Sequence, residues 1–397
     1  MTSASMTQIT QARPEVRALR SSKIREVANA GLGRQDVLPF WFGEPDEPTP
    51  PVVRQAAIDA LDAQHTFYTQ TLGAPALREA LAAYLSGLHQ ATPVESVAVT
   101  SSGTAALMLA MQALVNPGDR VVAVTPLWPN LVEMPKVLGA RVDTVSLSFA
   151  STGWQLDVQR LLDALTPGTR ALLVNSPNNP TGWTLTREQQ RVILAHCRRH
   201  GIWIVSDDVY QRIHYEGACA PSFLDIAEPQ DRVISCNSFS KAWLMTGWRL
   251  GWIVVPPPLL PEIGKLIEYS TTCAPPFVQS AGCVALTHGE ATIAHTVARL
   301  RRGRDHLQQG LQGLPGIQLA EAAAGAMYTF FRLEGLSDSL AFCQRLVVDA
   351  GLGLAPGIAF GHQGEGYLRW CYASSTERLD DGVQRLARHL QSNPLNH

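Results

Sequence analysis

The chain predicts an α/β protein with a largely parallel sheet and a second, smaller α+β unit. Two observations carry this. Through the middle of the chain, short apolar, β-branched runs alternate with helical patterns, and turn residues close each run. Near Gly289 the composition changes, and helical periods then dominate. Runs that are apolar without alternation suit strands buried on both faces, as parallel strands are.

The elements follow in order. The opening "MTSASMTQITQARPEVRALRSS" lacks an apolar stretch of signal-peptide type. Its first sixteen residues are expected to be a disordered tail (1–16). Residues 17–50 hold a helix-like "EVRALRSSKIREVANAG" and then "LPFWFGEPDEPTPP", a turn-rich crossing segment associated with the small domain. The large domain is expected over 51–289. Its strand candidates are Ser96–Ser102, Arg120–Pro126, Arg170–Pro177, Ile202–Asp208, Arg232–Ser238 and Leu250–Pro256, with helices at Ala105–Val115 and Arg187–His200. The small domain (290–397) is read as helices at Ala298–Leu314 and Leu340–Leu352, with strands at Met327–Leu333 and Tyr367–Tyr372.

Composition narrows the function classes. A hydrophobic share of 46% with 17% charged residues is enough for a large core, and a net charge of −2 argues against a nucleic-acid partner. No apolar run reaches about 18 residues, so no membrane span is expected. Seven scattered cysteines form no C-x-x-C pair. Reduced thiols in a cytoplasmic protein without a metal site are the simplest reading.

In α/β sheets, ligands sit at the strand ends, and four ends here carry unusual polar clusters. The first opens a helix with Ser101-Ser102-Gly103-Thr104, where backbone N–H groups suit a phosphate; a plain N-cap also explains it. The second, "NSPNNPTG" (Asn175–Gly182), is a turn able to project one amide, best Asn179. The third is Ser206-Asp207-Asp208-Val209-Tyr210. An aspartate after four apolar residues is costly to bury without a cation or strong donor, although N-capping accounts for it equally. The fourth is "SFSKAWLMTGWRLGW" (Ser238–Trp252), with one amine at Lys241 and one guanidinium at Arg249 inside an apolar run. A lysine nucleophile works as the free amine, which a low-water site near other cations favours.

In order and spacing, these clusters resemble the class I/II pyridoxal-phosphate aminotransferases of fold type I, nearest the bacterial aspartate/aromatic subgroup. The carrying motifs are "GEPDEPTP", "YTQTLGAPALREAL", "SSGTAAL", "PLWPN", "NSPNNPTG", "SDDVY", "SFSKAWLMTGWRLGW", "PGIAFG" and "YLRWCYA", from about Arg17 to about Leu390. The resemblance implies a mostly parallel seven-stranded sheet and a pyridoxal 5′-phosphate cofactor. Lys241 would carry the cofactor aldehyde as a Schiff base and shuttle the Cα proton. Asp207 would pair with the pyridine nitrogen, and Tyr210 and Asn179 would hydrogen-bond the ring oxygen. Trp128 would stack on the ring. Ser102, Gly103, Thr104, Ser238 and Arg249 would hold the phosphate. Tyr68 would reach the phosphate of a neighbouring subunit, which implies a homodimer. Arg369 would bind the substrate α-carboxylate beside Gly43.

Four positions depart from the family pattern. Thr104 replaces a lysine that often reads a dicarboxylate, Leu127 and Leu131 replace aromatics, and Glu47 replaces an aromatic after "GEPD". Trp41, Phe42, Leu127, Tyr328 and Trp370 are candidates for an apolar side-chain pocket. A neutral or aromatic amino acid is therefore mildly preferred over aspartate. The main rival is a β-lyase, or a specialised cyclase or oxidase, of the same fold. A ligand-sensing regulator is the rival of another class, and only about 16 residues precede the resemblance to hold its DNA-binding part.

Overall fold

A computed structural model describes residues 12–393. Residues 1–11 of the expected tail lie outside the described residues, whereas Pro14–Arg17 form a short helix with proline at its first position.

Seven strands build the main sheet: β1 (Val97–Thr100), β2 (Arg120–Thr125), β3 (Arg141–Ser146), β4 (Thr169–Asn175), β5 (Trp203–Asp207), β6 (Val233–Ser238) and β7 (Gly251–Val254). Their spatial order is β1-β7-β6-β5-β4-β2-β3. The pairs among β2 to β6 are parallel, and β7 runs antiparallel to both neighbours. The period of two sends alternate residues to opposite faces. Ala123, Leu173, Val205, Ile234 and Ile253 pack with Leu107, Ala110 and Leu114 of helix α2 (Gly103–Leu114). Val122, Leu172, Val174 and Ile204 pack on the other face with Ile193 and Leu194 of helix α3 (Arg187–His200). Each fully buried aliphatic side chain contributes roughly 1.5–3 kcal/mol relative to exposure. This two-sided burial anchors the strands whose ends carry the polar clusters.

Local chemistry sets the helix ends. Thr186 accepts from the Gln189 N–H while Gln189 accepts from the Thr186 N–H, and Gly201 ends the helix at φ 67°. The helix α1 (Lys23–Ala30) starts at the cap Ser22, whose hydroxyl accepts from Arg25 N–H, and buries Ile24, Val27 and Ala28.

After α4 (Glu290–Leu311) comes an antiparallel sheet of β8 (Ile317–Gln318), β9 (Tyr328–Leu333), β10 (Ala355–Pro356) and β11 (Tyr367–Cys371), in the order β8-β9-β11-β10. Helices α5 (Ser339–Ala350) and α6 (Thr376–Ser392) cover it. The segment before residue 50 spans both parts of the molecule. Leu38–Pro39 pairs parallel with Leu352–Gly353, while the Thr49 hydroxyl donates to the Leu244 carbonyl and accepts from Trp248. Glu47 meets Arg299 and His295 of α4 at 3.3 Å each, so this departure from the family pattern serves as an ion-pair partner. Among the described residues, no helix is long and apolar enough to cross a membrane. The seven cysteines are free.

Candidate active site

A cleft of about 200 Å³ opens where β4, β5 and β6 end. Its walls bring together Gly43, Gly103, Thr104, Trp128, Asn179, Asp207, Tyr210, Ser238, Lys241, Arg249 and Arg369. Two of the expected residues are not on those walls. Ser102 is the N-cap of α2, and its hydroxyl accepts from the Ala105 N–H at 2.9 Å. Tyr68 is 87% exposed and lies away from the cleft.

Asp207 closes β5 and is buried. One carboxylate oxygen accepts from the Val209 N–H at 3.2 Å, and the side chain has no ion-pair partner among the described residues. Burial, with the neighbouring Asp208 charge adding to it, pushes its pKa up to about 7. Asp208 points to the other side of the strand, where the hydroxyls of Ser206, Ser222 and Ser235 donate to it. The Asn175 amide donates to the Asp207 carbonyl at 3.0 Å, and its oxygen accepts from the Asn179 N–H at 2.7 Å. This bridge fixes the "NSPNNPTG" loop against β5, and Asn178 braces it further by accepting from Thr181.

Lys241 follows β6, where the buried Phe239, Ala242 and Trp243 seat the turn. Its amine donates to the Gly43 carbonyl. Burial lowers its pKa to about 8, with the Arg369 and Arg249 charges acting in the same direction. At the same end of the cleft, Gly103 opens α2 with its N–H groups unpaired within the helix, which favours an anion. A Cβ on Gly103 would stand 2.9 Å from the Ser238 Cβ. The Ser238 hydroxyl is 2.8 Å from that of Ser240, and Arg249 reaches Ser240 at 3.5 Å and the Thr246 carbonyl at 2.7 Å. Arg249 holds φ 55°, a left-handed conformation unusual for a non-glycine residue, as the chain turns into β7.

Arg369 lies on β11 at the opposite end and is 2% exposed. It donates to the Asn179 side-chain oxygen at 3.0 Å and to the Trp41 carbonyl, while its Nε has no partner among the described residues. Its guanidinium lies 4.5 Å from the Tyr328 ring centroid and 5.0 Å from that of Phe360. A buried guanidinium with a free N–H and no carboxylate partner suits a carboxylate ligand.

The apolar-pocket expectation changes in part. Ile24, Trp41, Phe42 and Tyr328 line the cleft. Leu127 belongs to the core under α2, and Trp370 packs against Phe40 at 5.2 Å between ring centroids. Neither lines the cleft. The sequence reading also missed Asn175 and Ser240, which line the cleft. Only the strand-end position of Asn175 signalled either of them.

A largely parallel sheet thus presents a buried carboxylate and a part-buried lysine at its strand ends, in one cleft with a buried arginine from the second sheet. The family model for aminotransferases of class I and II matches residues 35–386, and the chain belongs to that family, whose members depend on pyridoxal phosphate. The chain is accordingly an aminotransferase. It is 34% identical to aspartate aminotransferase of Pyrococcus horikoshii over 377 residues, covering 94% of this chain and 95% of that protein. It is 30% identical to aromatic-amino-acid aminotransferase 2 of Thermococcus litoralis over 382 residues, covering 94% and 97%. A solved single mutant of Thermus thermophilus aspartate aminotransferase superimposes with a TM-score of 0.88 at 34% identity, covering 95% and 99% of the two chains.

Proposed function

We propose that this aminotransferase holds pyridoxal 5′-phosphate in the cleft and moves an amino group from a neutral or aromatic L-α-amino acid to a 2-oxo acid. The observation that carries the reading is one cleft containing a part-buried lysine, a buried aspartate without an ion-pair partner and a buried arginine with a free N–H. The residues fit the cofactor. An ion-pair partner is missing at Asp207, and an anion cradle stands at the start of α2.

When bound, the cofactor supplies an aldehyde to carry the amino group and a ring that takes up the electron pair left at Cα. Lys241 Nζ would hold that aldehyde and, as the free amine, would take up and return the proton at the substrate Cα. Asp207 would keep a proton on the ring nitrogen. Tyr210 and Asn179 would hydrogen-bond the ring oxygen, Trp128 would pack against the ring, and Arg249, Ser238 and the first N–H groups of α2 would bind the phosphate. Arg369 grips the substrate carboxylate as a fork, which retains that group and leaves Cα–H as the bond to break.

The side-chain preference rests on charge. Three cations line the cleft, and the roles above use all of them. Thr104 offers no fourth, and Ile24, Trp41 and Phe42 form an apolar wall. A side-chain carboxylate would be desolvated there without a partner.

The homodimer belongs to the same reading. Tyr68, Phe67 and Tyr269 are 87%, 80% and 90% exposed. Thr71 donates to Glu268 at 2.9 Å, so the three aromatics stand on neighbouring loops. Large exposed aromatics of this kind mark an interaction surface, and this one would bring Tyr68 to the partner's phosphate.

The test is a half-reaction screen of the twenty amino acids, ornithine and kynurenine, following loss of the near-visible band of the loaded enzyme. Neutral or aromatic amino acids are expected to react fastest. A fastest reaction with aspartate overturns the substrate class. Release of ammonia or pyruvate without an oxo acid points to lyase chemistry instead. Borohydride should fix the cofactor to the Lys241 peptide, and a label elsewhere overturns the assignment of the lysine.

A further inference from the structure

The Tyr210 and Tyr328 hydroxyls lie 2.6 Å apart, the length of a short O–H···O hydrogen bond, and both side chains line the cleft. They come from different sheets. Tyr210 follows β5, and Tyr328 opens β9, where it pairs with Cys371 while Phe330 pairs with Arg369. The Tyr328 ring lies under the Arg369 guanidinium, and its hydroxyl abuts Gly43 so closely that a Cβ there would stand 1.8 Å from it. Gly43 in turn takes the Lys241 amine on its carbonyl. One side chain thus touches Tyr210, Arg369 and Gly43, the last of which takes the lysine amine.

Only one hydroxyl of the pair can donate to the other. Neither the Tyr328 nor the Tyr210 hydroxyl has another hydrogen-bond partner among the described residues. An anionic ring oxygen is a stronger acceptor than a phenol and draws the Tyr210 proton. The Tyr328 proton then has the Tyr210 oxygen as its acceptor.

We propose that Tyr328 is a positioning residue: its hydroxyl donates to Tyr210 and frees the Tyr210 proton for the cofactor, while its ring holds Arg369 in place for the substrate carboxylate. The inference rests on the cofactor reading above. The charged and titratable groups facing the pair are Arg369 and Cys371 from β11, Asp207 from β5, and Lys241.

The readout is the pH titration of the near-visible band of the loaded enzyme without substrate. Donation from Tyr210 draws charge from the ring oxygen and weakens its hold on the proton of the Lys241 linkage. Accepting a bond from Tyr328 strengthens that donation. Tyr328→Phe should therefore raise the pKa of the band by roughly half a unit. Tyr210→Phe should raise it more, and the double variant should shift no further than Tyr210→Phe alone. A lowered pKa would mean that Tyr210 donates to Tyr328. Either a lowered or an unchanged value in Tyr328→Phe overturns the proposal, as does additivity in the double variant.

A non-reacting α-methyl amino acid reads the second role. Tyr328→Phe should bind it as the wild type does, and Tyr328→Leu about ten-fold more weakly. Equal binding by all three overturns the contact with Arg369. A wild-type protein that forms no near-visible band overturns the cofactor reading itself, an outcome distinct from a normal band with an unmoved pKa.

Discussion

Asp207 makes the fold sensitive to pH in a definite direction. Its pKa of about 7 exceeds the value in an unfolded chain, so the folded chain holds a proton that the unfolded chain releases. That contribution to stability is complete below the unfolded carboxylate range and is lost as pH rises through about 7. Asp207→Asn keeps the shape and removes the loss. In cofactor-free protein, the variant should gain more melting temperature over wild type at pH 8 than at pH 5. Equal gains at both pH values would contradict the buried, unpaired carboxylate. The same change should lower turnover by roughly 10²–10⁴-fold, because Asp207 is the carboxylate on the cleft wall that the proposed reading assigns to the ring nitrogen. At Arg369, lysine would supply charge without the planar fork. Arg369→Lys should reduce kcat/KM by about 10²-fold, measured with the best substrate of the half-reaction screen.

The element scale shows how backbones are packed to make the phosphate end. Gly251 opens β7 between β1 and β6, and a Cβ there would meet the Asn237 carbonyl oxygen and the Gly103 nitrogen, each at 2.6 Å. Backbone has no rotamer by which to escape, so Gly251→Ala should displace the start of α2. Cofactor affinity should fall more than about ten-fold, read by titrating the near-visible band. Gly87 has nothing within 4 Å and lies in the helix Pro75–Leu88. Gly87→Ala should leave that affinity unchanged and stabilise slightly, by about 0.4–1 kcal/mol. These elements were largely legible in the sequence. Six apolar runs match β1, β2, β4, β5, β6 and β7 to within about two residues at each end, and the expected helix Arg187–His200 is α3. The seventh strand, β3, reads "RVDTVS" and sits at the sheet edge with four partly or fully exposed residues and one buried one among its last five. With so little apolar surface, it gave only a weak strand pattern. The cleft residues at strand ends could be read because their chemistry clashes with the apolar run before them. The Tyr210–Tyr328 contact could not, since it joins two sheets across 118 positions and each tyrosine alone looks like an ordinary core aromatic. Leu127 and Trp370 misled for the matching reason: nearness to a motif does not say which way a side chain faces.

At the scale of the whole molecule, the dimer reading makes each cleft depend on two chains. A Lys241→Ala chain has no amine, and a Tyr68→Ala chain lends no hydroxyl to its partner. In a mixed dimer, one cleft has both defects and the other has neither. Mixing the two variants after unfolding and refolding should therefore restore up to about a quarter of wild-type activity. No recovery would mean that Tyr68 does not cross between chains. The sheet order has a consequence of a different kind. Thr100 at the end of β1 pairs with Gly251, and β1 has no other neighbour in the sheet. Translation proceeds at roughly 5–20 residues per second, so this apolar strand waits roughly 8–30 seconds for the segment that will cover its edge. During that interval on the ribosome, an unprotected strand can pair with the wrong chain. Yield in a cell should then depend on translation speed and chaperone supply, even for variants whose finished fold is as stable as the parent's.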